Sequence, residues 1–423
     1  MSTIKGAPRQ GLFGATLGFF IGFAAVALFG VTANKFKDAL QLSPALVGLL
    51  VAIPSLSGSL LRIPFAAWVD TTGGRKPFLI LLGLSVAGMG GLTWVVYALY
   101  PNGLTPSLFP LILLLGVLSG CGIATFSVGI SQVSYWFPKS QQGSALGIFG
   151  GVGNLAPGIF TFILPFVISG IGLAGAYLIW LIILVAGSVG YYFTGLNAPY
   201  FQLREQGAAP EQAKRAAAQL GQEIFPTGKV IDSLKRSAAV WQTWVLVAMY
   251  FATFGGFLAM TAWLPTYWKT FFSAEVTLAG ALTALYSITT SLMRVAGGGV
   301  ADRMGGEKTG QISLSIFLIG AILMTFSHNL ALSILAVLVM AVGMGMGNAS
   351  IFKLVPQAVP QAVGGASGWV GGLGAFGGFV LPPLLGNIAA ALGADGYALG
   401  FTVFIGMALI AIGLTFLLKQ QKG

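Results

Sequence analysis

Long apolar runs alternate with short polar segments along almost the whole chain. A helix needs about 20 apolar residues to cross the hydrocarbon core of a bilayer, and runs of that kind recur here at regular intervals. They fall near 12–33, 44–69, 76–99, 108–136, 142–168, 172–196, 240–268, 276–301, 309–327, 330–356, 361–390 and 397–418. The alternating pattern of a membrane β-strand, roughly ten residues long, does not occur. The pattern therefore predicts an all-α membrane protein with twelve transmembrane helices.

The composition supports this prediction and the charges orient it. Of the 423 residues 56% are hydrophobic and 7% are charged, against roughly a quarter charged in soluble domains. The net charge of +11 would by itself suggest nucleic acid as a partner. Most basic residues, however, fall on one side of the twelve-helix plan, and the positive-inside rule makes that side cytoplasmic. We therefore expect cytoplasmic N- and C-termini, a location in the cytoplasmic (inner) membrane and no nucleic-acid partner; Lys35, Lys37 and Lys269 lie on the other side.

Metal and cofactor chemistry has little support in the sequence. Cys121 is the single cysteine and His328 the single histidine, so neither an internal disulfide nor a cysteine–histidine metal cluster is available. The predicted topology also brings no nucleophile next to a general base. We expect a protein without a cofactor and without enzymatic activity.

Two repeated motifs divide the chain into halves. The segments "SLLRIPFAAWVDTTGGRK" at 59–76 and "SLMRVAGGGVADRMGGEK" at 291–308 align without a gap, each with an arginine eight residues before an aspartate. A second pair, "GIFGGVGN" at 147–154 and "GWVGGLGA" at 368–375, matches four glycines in register. Parallel six-helix halves around a midplane site are a transporter architecture. We predict pseudo-symmetric halves at 1–196 and 240–423, joined by a cytoplasmic linker at 197–239.

Arg62 and Arg294 lie deep in their predicted helices. If Asp70 and Asp302 mark cytoplasmic helix ends, each arginine lies about 12 Å above its aspartate, near the middle of a core about 30 Å thick. Inserting an arginine there costs about 2.5–3.5 kcal/mol or more. All ten acidic residues fall in loops or at helix ends, so no carboxylate is left to neutralise the pair. Backbone carbonyls capping structural arginines are one interpretation; we prefer the other, a site for a small monovalent anion.

Further residues at similar depth suggest the shape of such a site. The planar guanidinium fork matches a planar oxyanion. Asn154 in the fifth predicted helix offers an amide N–H, and Phe126, Tyr250 and Phe254 are placed to wall a flat pocket. Aromatic residues in membrane helices are more often packing residues, so this pattern alone does not distinguish packing from contact with the anion. For Lys353, snorkelling to the cytoplasmic interface is as compatible with the pattern as anion contact.

Together these motifs resemble the nitrate/nitrite porter family of the major facilitator superfamily, over essentially the whole chain. "LLRIPF" and "LMRVAGG" look like that family's paired substrate arginines. "GIFGGVGNLAPG" and "GASGWVGGLGAFGGF" look like its two nitrate signatures, and "GMGNASIFKLVPQ" looks like its motif in the tenth helix. The resemblance implies transport of nitrate or nitrite by alternating access. The anion site that it implies consists of Arg62, Arg294, Asn154, Tyr250, Phe254, Phe126 and Phe352.

A second resemblance concerns gating. "DTTGGRK" and "DRMGGEK" look like the superfamily's cytoplasmic loop motif, in which the aspartates would stabilise one conformation through contacts between helices. Phe65 stands where the first copy usually has a small residue, and Glu307 replaces a basic residue in the second, so we expect the two copies to differ. Glycines in the nitrate signatures let helices pack closely and would let them slide. The predicted gating residues are Asp70, Asp302, Gly150, Gly151, Gly371 and Gly372.

The sequence leaves the coupling of transport open. Two unpaired buried cations make an empty site costly, which favours nitrate/nitrite exchange, and no midplane acid or histidine is available to carry a proton. The compact chain nevertheless looks more like the family's proton-linked uptake members, so antiport and symport both remain. Other readings are an exporter of an organic anion or drug from the same superfamily, and an anion channel. We expect a monomer whose partners are the small anion and the lipid bilayer.

Overall fold

A computed structural model describes residues 4–138, 141–226, 230–359 and 363–420, and all regular secondary structure in these ranges is helical. The first half of the chain contains α1 (Pro8–Phe23), α2 (Ala33–Leu40), α3 (Pro44–Leu60), α4 (Arg62–Thr72), α5 (Arg75–Leu99), α6 (Phe109–Gly120), α7 (Thr125–Trp136) and α8 (Gln142–Thr194). Three short linker helices follow: α9 (Pro199–Glu205), α10 (Pro210–Gln219) and α11 (Val230–Ala238). The second half contains α12 (Trp241–Tyr250), α13 (Gly256–Phe271), α14 (Val276–Met304), α15 (Gly306–Phe326), α16 (Leu330–Ala358), α17 (Val363–Ala375), α18 (Gly377–Leu392), α19 (Gly396–Leu399) and α20 (Thr402–Gln420).

Within the described ranges, ten helical segments are long and apolar enough to cross a membrane. The longest of them, Ala145–Thr194, has 50 residues, and its backbone leaves helical geometry at Gly172 (φ 74°, ψ 176°). Glycine adopts a positive φ without the steric cost that other residues incur, so two apolar helices meet there. Thr402–Phe416 is a further, shorter apolar helix. The predicted all-α membrane fold is confirmed, whereas the number of twelve crossings stays a prediction.

Large apolar side chains cover the outer surface of the helices. Trp94 is 63% exposed and Phe193 is 73% exposed, and many leucine, isoleucine and valine side chains on α5, α8, α14 and α20 are similarly accessible. Contiguous apolar surface of this kind is rare on soluble monomers. It is the surface expected of helices that contact lipid.

Four of the long helical segments are interrupted near their middle. α3 passes into α4 at Leu61, and a 3-10 turn, Cys121–Ala124, separates α6 from α7. A π-type turn, Phe251–Gly255, separates α12 from α13, and Phe376 separates α17 from α18. Interruptions of this type, π-turns above all, are frequent at functional sites. They lie beside the residues that the sequence analysis selected.

The two halves pack against each other along two seams. α3 lies against α18, and α8 lies against α14. On the first seam Gly48 approaches the carbonyl oxygen of Pro382 so closely that a Cβ atom would clash with it. Each repeated arginine motif therefore lies on, or directly follows, a helix that contacts the other half.

The ends of the helices form two distinct faces. At one end the Lys5 N–H donates to Gln202 Oε1 (2.8 Å), and the Arg75 N–H donates to Asn197 Oδ1 (3.0 Å). We call this end the terminal face. At the other end, the opposite face, His328 Nε2 lies 3.7 Å from Asp395 Oδ1.

The linker helix α11 lies across the terminal face. It packs against α17 of the second half and touches α4 of the first. The indole N–H of Trp369 donates to the Leu234 carbonyl oxygen (3.0 Å), and the ring of Trp369 lies 5.7 Å from that of Trp244. The linker is therefore in contact with both repeated motifs.

Candidate functional site

Arg62 and Arg294 converge on the same pair of aromatic rings. The guanidinium carbon of Arg62 lies 4.9 Å from the ring centre of Phe126 and 5.2 Å from that of Phe254. The guanidinium carbon of Arg294 lies 5.4 Å from each of these two ring centres. Arg62 opens α4, directly after the break at Leu61, and Arg294 lies within α14. One arginine from each half thus borders one small region.

Backbone carbonyl oxygens surround Arg62, which is fully buried. Its Nε donates to the Gly58 carbonyl (3.0 Å), its Nη1 to Gly371 (3.2 Å) and its Nη2 to Ile123 (3.5 Å). A guanidinium has five N–H donors, so these bonds leave two of them for another acceptor. The bond to Gly371 joins the two halves. Sequence reasoning had no way to select these three carbonyls, because backbone acceptors carry no residue signature.

Arg294 is less completely satisfied than Arg62. Its Nη1 is buried and makes no hydrogen bond within the described residues. Phe352 lies 5.8 Å from its guanidinium carbon. The buried Tyr250 hydroxyl interacts with both arginines and lies within hydrogen-bonding range of Arg294, but no bond of good geometry joins it to a partner in that part of the chain. The two ion pairs described, His328–Asp395 and Lys353–Asp302, involve neither arginine.

Four aromatic side chains form a continuous wall beside the arginines. Tyr250 and Phe254 are stacked at 4.8 Å and 6°, one turn apart, where the π-type turn joins α12 to α13. Phe254 continues the stack onto Phe126 at 6.2 Å and 27°. Phe352 meets Tyr250 edge-on at 5.0 Å and 87°. Three of the rings are stacked and the fourth stands across them, and all four rings that the sequence analysis named belong to the wall.

Asn154 lies on the seam between α8 and α14, beside Ser291, which is one helical turn before Arg294. It is 2% exposed, and its side-chain oxygen has no hydrogen-bond partner within the described residues. Its backbone carbonyl accepts from Ser291 Oγ (2.9 Å). Sequence reasoning missed Ser291, although a serine three residues before the arginine occurs in both repeats, at Ser59 and Ser291.

The predicted gating glycines fall into two pairs. A Cβ atom on Gly151 would lie 2.7 Å from Val295 Cγ2, and one on Gly372 would lie 2.7 Å from Ile63 Cγ1. Val295 and Ile63 each follow one of the two arginines, so the two close approaches match each other. For the other pair, Gly150 and Gly371, a Cβ atom would make ordinary contacts at 3.9 Å with Phe126 and Phe352 respectively.

Asp70 and Asp302 are the two aspartates predicted to stabilise one conformation through contacts between helices; we call these contacts the latch. The two aspartates have different partners. Asp70 accepts a hydrogen bond from the Tyr135 hydroxyl (2.5 Å). Asp302 accepts one from Lys353 Nζ (2.6 Å), which also donates to the Ala301 carbonyl (2.8 Å). Lys353 therefore joins α16 to the end of α14, and its ammonium group contacts Asp302. Neither aspartate is among the groups that contact the arginine pair.

Comparison with known proteins places the chain in a family. The sequence model of the Major Facilitator Superfamily matches residues 15–276 and 268–422. The "Probable nitrate/nitrite antiporter NarK1" of Thermus thermophilus is 30% identical over 402 residues, which cover 88% of this chain and 83% of the relative. The "Nitrite extrusion protein" of Bacillus subtilis (strain 168) is 28% identical, with 96% of this chain and 93% of the relative covered. The "Nitrate/nitrite transporter NarU" of Salmonella typhimurium (strain LT2) is 27% identical, with 99% and 93% covered.

Solved structures share the same fold. The xylose transporter XylE from E. coli, in a partially occluded inward open conformation, has a TM-score of 0.71 at 15% identity, with 96% of this chain and 98% of that chain covered. The human organic anion transporter MFSD10 has a TM-score of 0.65 at 15% identity, with 97% and 100% covered. At such low identity the likeness concerns the fold alone.

Proposed function

Because the chain belongs to the nitrate/nitrite porter family of the major facilitator superfamily, we propose that this multi-pass protein of the cytoplasmic membrane carries nitrate and nitrite by alternating access. The proposal includes twelve membrane-crossing helices in two six-helix halves, joined by the 197–239 linker. It assigns the terminal face, with both termini and the linker, to the cytoplasm. The opposite face is then the external one.

One observation carries the proposal: two arginines from different halves face the same two rings, and neither belongs to a described ion pair. Both guanidinium groups are charged at any physiological pH. A bound monovalent anion lowers the site's charge from about +2 to about +1. The unused donors of Arg62, the unpartnered Nη1 of Arg294 and the Tyr250 hydroxyl are the groups that would hold its oxygens.

A purely structural role would explain the carbonyl bonds of Arg62 but not the state of Arg294. They use three of the five donors and orient the guanidinium plane, which supports a structural contribution. A structural role does not account for Arg294, whose buried Nη1 has no acceptor in the described chain. An unsatisfied charged donor is costly, and an oxyanion between the two arginines would satisfy it.

The aromatic wall favours a small flat anion over a bulky one. Phe126, Tyr250, Phe254 and Phe352 contact one another at ring distances of 5.0–6.2 Å or are stacked at 4.8 Å. An exporter of organic anions or drugs would need a larger opening between these rings. The close seams between the halves likewise favour a carrier over a channel.

For coupling, we propose exchange of one anion for another. The empty site retains two positive charges, one of them on the fully buried Arg62, whereas the loaded site retains about one. The loaded carrier should therefore reorient faster than the empty one. Within the described chain no carboxylate is found beside the arginines to take up a proton in place of the anion. Internal nitrite or nitrate should therefore accelerate entry of external nitrate.

Proteoliposomes containing the purified protein test this function. We expect nitrate uptake to saturate and to rise several-fold when the vesicles contain nitrite, with or without a pH gradient. Vesicles loaded with gluconate provide the control for leak. Concentrative nitrate uptake driven by an inward proton gradient, without acceleration by internal nitrite, would contradict exchange. Absence of any nitrate or nitrite flux would contradict the proposed substrate.

A further inference from the structure

A cavity opens on the opposite face, between loops of the two halves. It has a volume of about 410 Å³. The first half lines it with Asn34, Lys35 and Asp38 of α2 and with the turn at 100–102. The second half contributes Lys269, near the end of α13, and Val276, the first residue of α14. The arginine pair is not part of this lining.

The polar groups that line the cavity lack partners of their own. Lys35 and Lys269 are half-buried, and neither takes part in the ion pairs that the structure describes. Asn34 is only 9% exposed, and no described hydrogen bond involves its carboxamide. The carboxamide atoms are accessible to solvent, so a ligand in the cavity can reach them. Two ammonium groups and a carboxamide N–H, supplied by both halves, form a donor set for an anion.

We propose that this cavity is a second anion site, which takes a small inorganic oxyanion of the size of nitrate and ties the two halves together on this face. Lys35 and Lys269 would approach the anion from opposite sides, and Asn34 would donate an amide N–H. The exposed carboxylate of Asp38 opposes the anion and limits its affinity. The volume leaves room for water molecules that complete the anion's hydrogen bonds.

Binding at this cavity has a conformational consequence. Its lining comes from both halves, so the site exists only while the halves meet on this face. A ligand that binds one conformation shifts the population toward it. High anion concentration on this face therefore favours the arrangement in which the face is closed. This consequence for transport rests on the proposed function, whereas the binding itself does not.

Lysine modification measured by mass spectrometry tests the site. The full-length protein, with Arg62→Lys and Arg294→Lys to weaken the central site, is placed in nanodiscs of zwitterionic lipid and treated with a small amine-acylating reagent. Nitrate replaces gluconate at constant ionic strength. We expect nitrate to slow modification of Lys35 and Lys269 several-fold while Lys37, in the same helix but outside the cavity lining, reacts at an unchanged rate. Asp38→Asn should shift this protection to lower nitrate concentration.

Equal rates with and without nitrate, or equal protection of Lys37, would overturn the site. A second set of nanodiscs contains anionic lipid. If Lys35 and Lys269 are fully protected in those nanodiscs in gluconate, and nitrate gives no protection in zwitterionic lipid, the cavity binds a lipid phosphate and the proposed inorganic anion is wrong. In transport, nitrate at high concentration on the opposite face should slow exchange by the protein with its native arginines. Lys35→Gln and Lys269→Gln should relieve that inhibition, and Lys37→Gln should not. The modification experiment can succeed where exchange fails, so the two proposals are tested separately.

Discussion

At the scale of single residues, the two arginines differ in how firmly they are held. Arg62 is fixed by three carbonyl oxygens, one of them from the other half. Arg294 is partly exposed and has a buried Nη1 without an acceptor in the described chain. Arg62 is therefore held in a fixed orientation, and an anion would supply Arg294 with the hydrogen-bond acceptor that its Nη1 lacks. Asn154, which contacts Ser291 across the seam, has a buried side-chain oxygen without a partner in the described chain.

Asn154→Asp should weaken nitrate binding, because the new carboxylate would take the place of the anion as the negative charge near the arginines. The substitution preserves shape but adds a negative charge next to the arginine pair. Like charges brought together in a buried site cost several kcal/mol, so nitrate affinity should fall by about tenfold or more. Isothermal titration of the purified variant measures this loss, with Asn329→Asp, an exposed residue of the opposite face outside the cavity lining, as a surface control. Protonation at lower pH should restore part of the binding, and unchanged nitrate affinity at neutral pH would place Asn154 outside the site.

How far the sequence predicts these residues depends on the kind of group. Arg62 and Arg294 follow from hydropathy and from the positions of the acidic residues, because buried charge without a counter-charge is rare. The carbonyls of Gly58, Ile123 and Gly371 do not follow, because any residue carries the same acceptor and only the helix breaks expose it. The role of each site residue stays a prediction until it is measured.

At the scale of helices, the glycine signatures place α8 and α17 against the residues that follow the arginines. Gly151 faces Val295, and Gly372 faces Ile63. A β-branched neighbour is stiff at χ1, so it accommodates an added methyl group less readily than a flexible side chain would. These contacts therefore join movement of each signature helix to the position of an arginine.

Gly151→Ala should impair exchange while its neighbour Gly147→Ala should not. A Cβ atom at Gly151 would lie 2.7 Å from Val295 Cγ2, whereas a Cβ atom at Gly147 would have no neighbouring atom of the described chain within 4 Å. Overpacking costs about 1–3 kcal/mol, which corresponds to a loss of about fivefold to 150-fold in rate if it falls on the conformational step. Exchange flux and thermal unfolding of both variants check the prediction. Adding Val295→Ala should restore the flux, and full activity of Gly151→Ala alone would refute the close-contact argument.

The latch on the terminal face is asymmetric at this scale, with Tyr135 opposite Asp70 and Lys353 opposite Asp302. Asp302→Asn should change the exchange rate by no more than about fivefold, since exposed ion pairs contribute about 1 kcal/mol at most. Nitrate affinity should stay within about twofold, because the aspartate lies about 12 Å along α14 from Arg294. Lys353→Gln should have the same effect, and the double variant should add little to either. A large loss of nitrate affinity in Asp302→Asn would contradict this separation of latch and site.

At the scale of the whole molecule, apolar runs of about 20 residues predict the all-helical membrane fold, because they fit spanning helices and lack the alternation of barrel strands. The repeated motifs predict two related halves, and membership of the superfamily is confirmed by the family match. The break at Gly172, the π-type turn at Phe251–Gly255 and the docking of α11 are not predicted, since they depend on contacts between distant helices. The twelve crossings, the orientation and the boundaries of the halves stay predictions.

The central claim is that one arginine from each half binds the same anion, and equilibrium nitrate binding tests it most directly. The measurement compares the purified wild-type protein with Arg62→Lys, Arg294→Lys and the control Arg303→Lys, an exposed arginine further along α14. Lysine keeps the charge but loses the planar fork, and each charged hydrogen bond lost costs about 1.5–3 kcal/mol. We expect the affinity of the central site to fall by about tenfold to a hundredfold in each of the first two variants and to be unchanged in the third. Wild-type nitrate affinity in a folded Arg62→Lys or Arg294→Lys protein would contradict the claim.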